Sequence, residues 1–250
     1  MKAQQYNWLL LRGLATEQAQ WSRFKTMIEG EAEEKDVLCL DIPGAGDHFQ
    51  EKSPLSIDHY VYFLREKFLA KKKQGPYALV AISMGAMIGM RWKELFPKDF
   101  EKSIFLNTSS KDIAPFYKRA KPSGIKFFLN VATKTTMHER VKTILNFTTN
   151  LLDEKKKEEL TNQLSETYTK RPISKENQLR QLLSASLFKA PKRIDGDLLF
   201  LVGKKDRLVD YHCSVKLSQR FQAKVFIHEE AGHDLPLDDP EWILEKIHQW

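Results

Sequence analysis

At 250 residues, 42% of them apolar, the chain can bury a full core as one domain, with or without an insertion. Its two cysteines, Cys39 and Cys213, belong to no C-x-x-C pair, so neither a disulfide framework nor a cysteine metal cluster is expected, and both read as buried thiols. The formal net charge of +7 is concentrated centrally, because residues 111–190 hold 16 Lys and Arg against 8 Asp and Glu, while the rest holds 24 against 25.

Along the chain, the opening residues 1–12 carry too short an apolar run for a signal peptide, and no later segment is long enough to span a bilayer. A cytoplasmic location is therefore expected. Apolar, β-branched runs at 6–11, 37–42, 77–82, 103–106, 198–202 and 225–227 alternate with helical patterns that include 55–72, 84–95 and 240–249. That alternation predicts βαβ units and a parallel sheet. In the helix after residue 83, Ala86, Met87, Met90 and Leu95 are placed to face the sheet, and Arg91, Lys93 and Glu94 to face water.

One interval is out of scale. Between 106 and 198 no strand pattern occurs, far more chain than normally joins two strands. Helical spacing of Met137, Val141, Ile144, Leu145 and Leu151, then Leu160, Leu164 and Tyr168, then Leu179, Leu182, Leu183 and Leu187 predicts four short helices punctuated by Pro115, Pro122, Pro172 and Pro191. A helical cap at 111–190, set into a core of 1–110 and 191–250, is the simplest account. Its positive charge is either a solvated lysine-rich face or a surface that steers an acidic partner.

Chemistry is first suggested by Ser83, which sits between the apolar run 77–82 and a helix, with Ala81 and Gly85 as small neighbours. A serine on so tight a strand-to-helix turn projects its hydroxyl clear of the backbone, as a nucleophile elbow does; the alternative is a helix N-cap. Asp206 follows the run 198–202 and His233 follows 225–227, so all three residues fall at the carboxyl ends of predicted parallel strands, where ligand sites form. A serine hydroxyl needs a base near pKa 6.5 to take its proton, and the base needs a carboxylate to fix its tautomer. His233 could instead be an ordinary loop histidine and Asp206 a turn former, with Asp210, Asp195 and Asp234 as substitute acids. Charge developing on a substrate oxygen calls for two backbone N–H donors. Met84 supplies one and Leu14, in the turn at Gly13, the other.

These residues, in the order Ser, Asp, His, resemble the α/β-hydrolase fold, specifically its cap-bearing serine esterases, over nearly the whole chain outside the cap. The resemblance implies a six-stranded, mostly parallel sheet flanked by helices, lacking the usual opening hairpin, and maps the nucleophile, acid and base onto Ser83, Asp206 and His233 and the oxyanion donors onto Leu14 and Met84. Where this family commonly has His-Gly at the oxyanion turn, the chain has Arg12-Gly13, which puts a cation at the pocket mouth. The turn Asp41-Ile-Pro-Gly44-Ala-Gly46 matches the family's second turn and fails the dinucleotide fingerprint, so it reads as structural. Neither a cofactor nor a metal is expected, and no histidine pair has H-x-x-x-H spacing.

The resemblance implies ester hydrolysis through an acyl-enzyme on a small acyl substrate, with thioester or carbon–carbon bond hydrolysis, or a non-catalytic binding module, as alternatives. Phe116, Phe127, Phe128, Phe147 and Phe188 are candidates to line an acyl site or to be core. The basic cap is similar to what pimeloyl-carrier methyl ester esterases of biotin synthesis require, and on that likeness Lys118, Arg119 and Lys121 would dock an acidic acyl carrier protein. Nucleic-acid binding is not expected, because the basic residues alternate with glutamates and lack an aromatic stacking platform.

Overall fold

The computed structural model describes residues 6–32 and 35–250; residues 1–5, the front of the stretch judged too short for a leader, lie outside them. Strands β1 (Asn7–Leu11), β2 (Val37–Leu40), β3 (Tyr77–Ile82), β4 (Lys102–Leu106), β5 (Asp197–Gly203) and β6 (Lys224–His228) form one sheet in the order β2-β1-β3-β4-β5-β6. Every neighbouring pair is parallel, as the pattern predicted. Alternate side chains of the inner strands enter opposite layers. Leu9, Leu11, Leu79 and Ala81 pack with helices α2 (Ile57–Lys71) and α3 (Met84–Leu95), whereas Trp8, Leu10, Ala78 and Val80 pack with α1 (Ser22–Ala32) and α11 (Pro240–Gln249). Burial on both faces explains why these strands read as unbroken apolar runs.

Two local predictions need correction. Helix α2 starts at Ile57 and not at 55, because the Ser56 side chain caps it by accepting from Asp58 N at 3.3 Å. Lys93, expected to face water, is only 4% exposed. Its ammonium donates to the carbonyls of Pro97, at 2.7 Å, and Phe100, which satisfies the charge that burial would otherwise penalise. Arg91 stays at the surface and pairs with Asp58 and Glu94. Cys213 is buried and Cys39 half-buried, both as free thiols.

Between β4 and β5 the chain forms five helices, one more than predicted: α4 (Phe116–Arg119), α5 (Pro122–Thr133), α6 (Met137–Thr148), α7 (Glu154–Lys170) and α8 (Lys175–Leu187). A reciprocal capping box between Thr136 and Glu139 opens α6. Val141, Leu145, Leu164 and Tyr168 give this insertion a small core of its own, closed from the main body by Leu237. Two further helices, α9 (His212–Arg220) and α10 (Leu235–Asp238), follow β5 and β6. Among the described residues no helix is long and apolar enough to cross a membrane.

A partly buried ion-pair cluster joins the insertion to the turn after β1. Arg171, at the end of α7, donates to Glu17 at 2.9 Å and to Asp47 at 2.5 Å. Burial pushes the Glu17 carboxyl up to about 7, and the opposing pull of Arg171 does not cancel it. Because folding raises this pKa from its ordinary 4.5, the stability it contributes is complete below about pH 4.5 and is lost as pH rises through 7. Glu17→Gln is therefore expected to flatten the fall of Tm between those two values relative to the unsubstituted protein, read by thermal unfolding across the range.

Candidate active site

Ser83 occupies the sharp turn from β3 into α3 with φ 57° and ψ −120°. A side-chain-bearing residue is held there only when its surroundings fix it. Its amide donates to Leu106 O at 2.9 Å, and its carbonyl accepts from Ala86 N, Met87 N and the Thr108 hydroxyl, the last at 2.9 Å. The turn after β1 presses against this elbow. A methyl group on Gly13 would lie 3.0 Å from Ser83 Cβ and 3.3 Å from Met84 N, and one on Gly85 would come within 2.6 Å of Leu11 O. Only glycines admit this contact, which sets the Leu14 segment beside the first amide of α3.

Asp206 follows β5 and is 2% exposed; His233 follows β6 and is 9% exposed. Their side chains meet, with His233 Nδ1 2.7 Å from Asp206 Oδ2. A carboxylate only accepts, so Nδ1 donates and the neutral ring keeps its lone pair on Nε2. Asp206 Oδ1 accepts from Leu208 N at 2.7 Å and Val209 N at 2.9 Å, which fixes the carboxylate plane. Burial disfavours the imidazolium, yet the charge and hydrogen bond of Asp206 outweigh it and hold the His233 pKa above its ordinary 6.5. Among the described residues the Ser83 hydroxyl makes no hydrogen bond to His233.

The substitute acids are engaged elsewhere. Asp210 receives His212 N and Nδ1, Asp195 pairs with Arg193, and Asp234 pairs with Arg12. That last pair also moves Arg12 away from the expected pocket mouth. Arg12 is 4% exposed, donates to both Asp234 oxygens at 3.0 and 2.6 Å, and lies 5.1 Å from the centre of the Trp21 ring. It is a clamp between the turn after β1 and the residue next to His233.

Asn107, which the sequence reasoning missed, is the hub between the two loops. It directly follows β4 at φ 41°, donates through Nδ2 to Gly232 O at 3.0 Å and His233 O at 2.7 Å, and accepts from Gly203 N at 2.8 Å. Thr108, next in the chain, holds the Ser83 carbonyl. An asparagine at a strand end, a residue type that tolerates left-handed backbone, was the available sequence signal.

The insertion supports the same loops. Lys121 Nζ donates to Asp206 O at 2.5 Å, Ser123 to Arg207 O at 2.8 Å, and Arg207 to the carbonyls of Asn146 and Thr149 at 2.9 Å. Arg119 donates to Ser186 O and Ala185 O. Of the three cations expected to dock a carrier protein, two are therefore bound internally, and Lys118 lies 3.9 Å from Asp210. The aromatic candidates divide similarly. Phe127 stacks on Phe147 with centroids 4.3 Å apart, Phe188 is in the main core, and Phe116 and Phe128 are exposed. The Asp41 turn is tied internally by Gln18 N and Asp47 N.

The family model of the alpha/beta hydrolase fold matches residues 9–240. The chain belongs to the α/β hydrolase fold family. No curated protein sequence matches. Among solved structures this hydrolase is similar to an esterase from Exiguobacterium antarcticum (14% identity, TM-score 0.75, covering 98% of this chain and 91% of that one). It is also similar to a lipase-esterase related protein from Clostridium acetobutylicum ATCC 824 (16%, 0.67, 98% and 93%). A third similar fold is the 2-hydroxy-6-oxo-6-phenylhexa-2,4-dienoate hydrolase of Rhodococcus sp. strain RHA1 (19%, 0.72, 99% and 90%). At these identities the likeness is one of fold.

Removing the Asn107 amide leaves one N–H and two carbonyls near the site without their partner. Asn107→Ala is expected to cost about 3 kcal/mol in urea unfolding, a larger loss than a surface asparagine gives.

Proposed function

We propose that this α/β hydrolase is a serine carboxylesterase that works through an acyl-enzyme on Ser83. The observation that carries the proposal is the buried 2.7 Å Asp206–His233 contact on the same sheet edge as a serine in a strained elbow. In the proposed reaction His233 Nε2 takes the Ser83 proton as Oγ attacks the ester carbonyl carbon. The oxygen, now negative, accepts from the amides of Leu14 and Met84, donors already oriented before charge appears. Collapse breaks the ester bond, and His233 returns the proton to the departing alkoxide. Water, deprotonated by the same ring, then releases the acid. Asp206 keeps Nδ1 protonated and offsets the imidazolium charge in both halves. The β4–β5 insertion acts as the cap, and the Phe127–Phe147 stack beside Arg207 supplies apolar surface for an acyl group.

A carrier-bound methyl ester of pimeloyl type, docked on Lys118, Arg119 and Lys121, draws less support, since Arg119 and Lys121 already serve backbone carbonyls. Carbon–carbon bond hydrolysis on the same residues is the second reading, favoured by the fold's similarity to a hydrolase whose named substrate contains no ester. Thioesters would use the same steps.

A panel of p-nitrophenyl esters and acyl-thioesters of rising chain length, together with a fluorophosphonate label, tests the proposal. Ser83→Ala is expected to lose the label and at least about a thousandfold in kcat; full turnover without Ser83, or an unlabelled protein, sinks it. Since His233 must be neutral to act, kcat should rise with pH through a value above 6.5. Asp206→Asn should move that limb to lower pH while reducing kcat by about ten thousandfold, as measured by the pH–rate profile.

A further inference from the structure

Helix α5 is apolar on the side that faces away from the protein. Its inward face is already complete: Gly124 abuts Leu208, and Phe127 stacks on Phe147. Outward, Ile125, Phe128 and Leu129 follow helical spacing at exposures of 44 to 65%, and the preceding turn of α4 adds Phe116 and Tyr117 at about 60%. Phe128 also touches the buried Phe127 ring, with centroids 5.2 Å apart, yet it and its outward neighbours leave much of their surface in water, an exposure that costs solvation.

The charge along this segment has one sign, with Asp210 reaching it from outside at 3.9 Å from Lys118. Residues 113–138 contain five Lys and Arg and no Asp or Glu. Arg119 and Lys121 are bound to carbonyls, but Lys126 and Lys134 have no ion pair among the described residues, so their ammonium groups are available to an outside anion. A row of exposed apolar side chains bordered by unneutralised cations matches a surface that is itself apolar beneath and anionic on top.

We infer that α4 and α5 form a docking face for an anionic phospholipid bilayer, with Phe116, Tyr117, Ile125, Phe128 and Leu129 entering the acyl boundary and Lys126 and Lys134 meeting the headgroup phosphates. Docking on this face is peripheral, leaves the fold intact and does not depend on the chemistry proposed at Ser83. It also brings the Asp206 loop, which α5 touches through Lys121 and Ser123, close to the lipid surface.

Co-sedimentation of the full chain with vesicles of phosphatidylcholine, with or without phosphatidylglycerol, tests the inference. Binding is expected only with phosphatidylglycerol and should weaken as salt screens the headgroups. Phe128→Ser with Leu129→Ser, and separately Lys126→Glu with Lys134→Glu, are each expected to reduce the bound fraction about tenfold or more with unchanged Tm; Ser83→Ala should bind like the unsubstituted protein. Failure to bind phosphatidylglycerol vesicles overturns the inference, as does binding that both double variants retain. It is equally overturned if the protein ignores vesicles and the same face instead holds a second copy, seen as a dimer that Phe128→Ser with Leu129→Ser dissociates, or an acidic carrier protein.

Discussion

Neighbouring strands lie about 4.8 Å apart, so roughly 14 Å separates the end of β3 from the end of β6. An imidazole cannot cover that distance, and the chain after β6 must lean back over β5 and β4 before His233 can approach the elbow. The Asn107 carboxamide is what holds the bend. Placed at the end of β4, it takes two consecutive carbonyls of the His233 turn while accepting the amide that closes β5. Thr108 fixes the Ser83 carbonyl from the neighbouring position. Two residues after one central strand thus register the loops that follow the strands on either side.

The remaining supports are cooperative with that bend. Arg12 and Asp234 form a buried bidentate pair reinforced by Gln20, whose own amide oxygen accepts from the Tyr168 hydroxyl. Such a pair costs much to desolvate and gains its value from geometry, because loss of either partner strands a charge in the interior. Its place next to His233 means that the turn after β1, which carries Gly13 and Leu14, and the loop after β6 are set by the same contact.

Much of this was legible in the residues. The strand runs, the parallel sheet and the edge positions of Ser83, Asp206 and His233 follow from apolar periodicity and from where small and turn-forming residues interrupt it. What the sequence could not disclose was how charged side chains are used. Lys93, Arg119 and Lys121 look like surface cations, but each ends on backbone carbonyls, since a helix end or loop nearby leaves acceptors unfilled. Arg12 looked like part of an entrance for the same reason, its partner lying 222 positions away. The positions of the aromatics likewise did not separate Phe127, which stacks inside, from Phe128, which faces out.

The insertion is commonly pictured as a lid added to a finished core, yet here it completes the core's loops. Asp206 O receives Lys121, Asp234 N donates to Thr148 O at 2.9 Å, and Asp238 accepts from Asn150 N and Leu151 N as well as from Gly232 N. A chimera that exchanged residues 111–190 for the corresponding part of a relative would thus forfeit the anchorage of two core loops along with the exchanged helices. Transplanting specificity between such scaffolds means carrying both sides of that seam together, the graft and the loops it rests on.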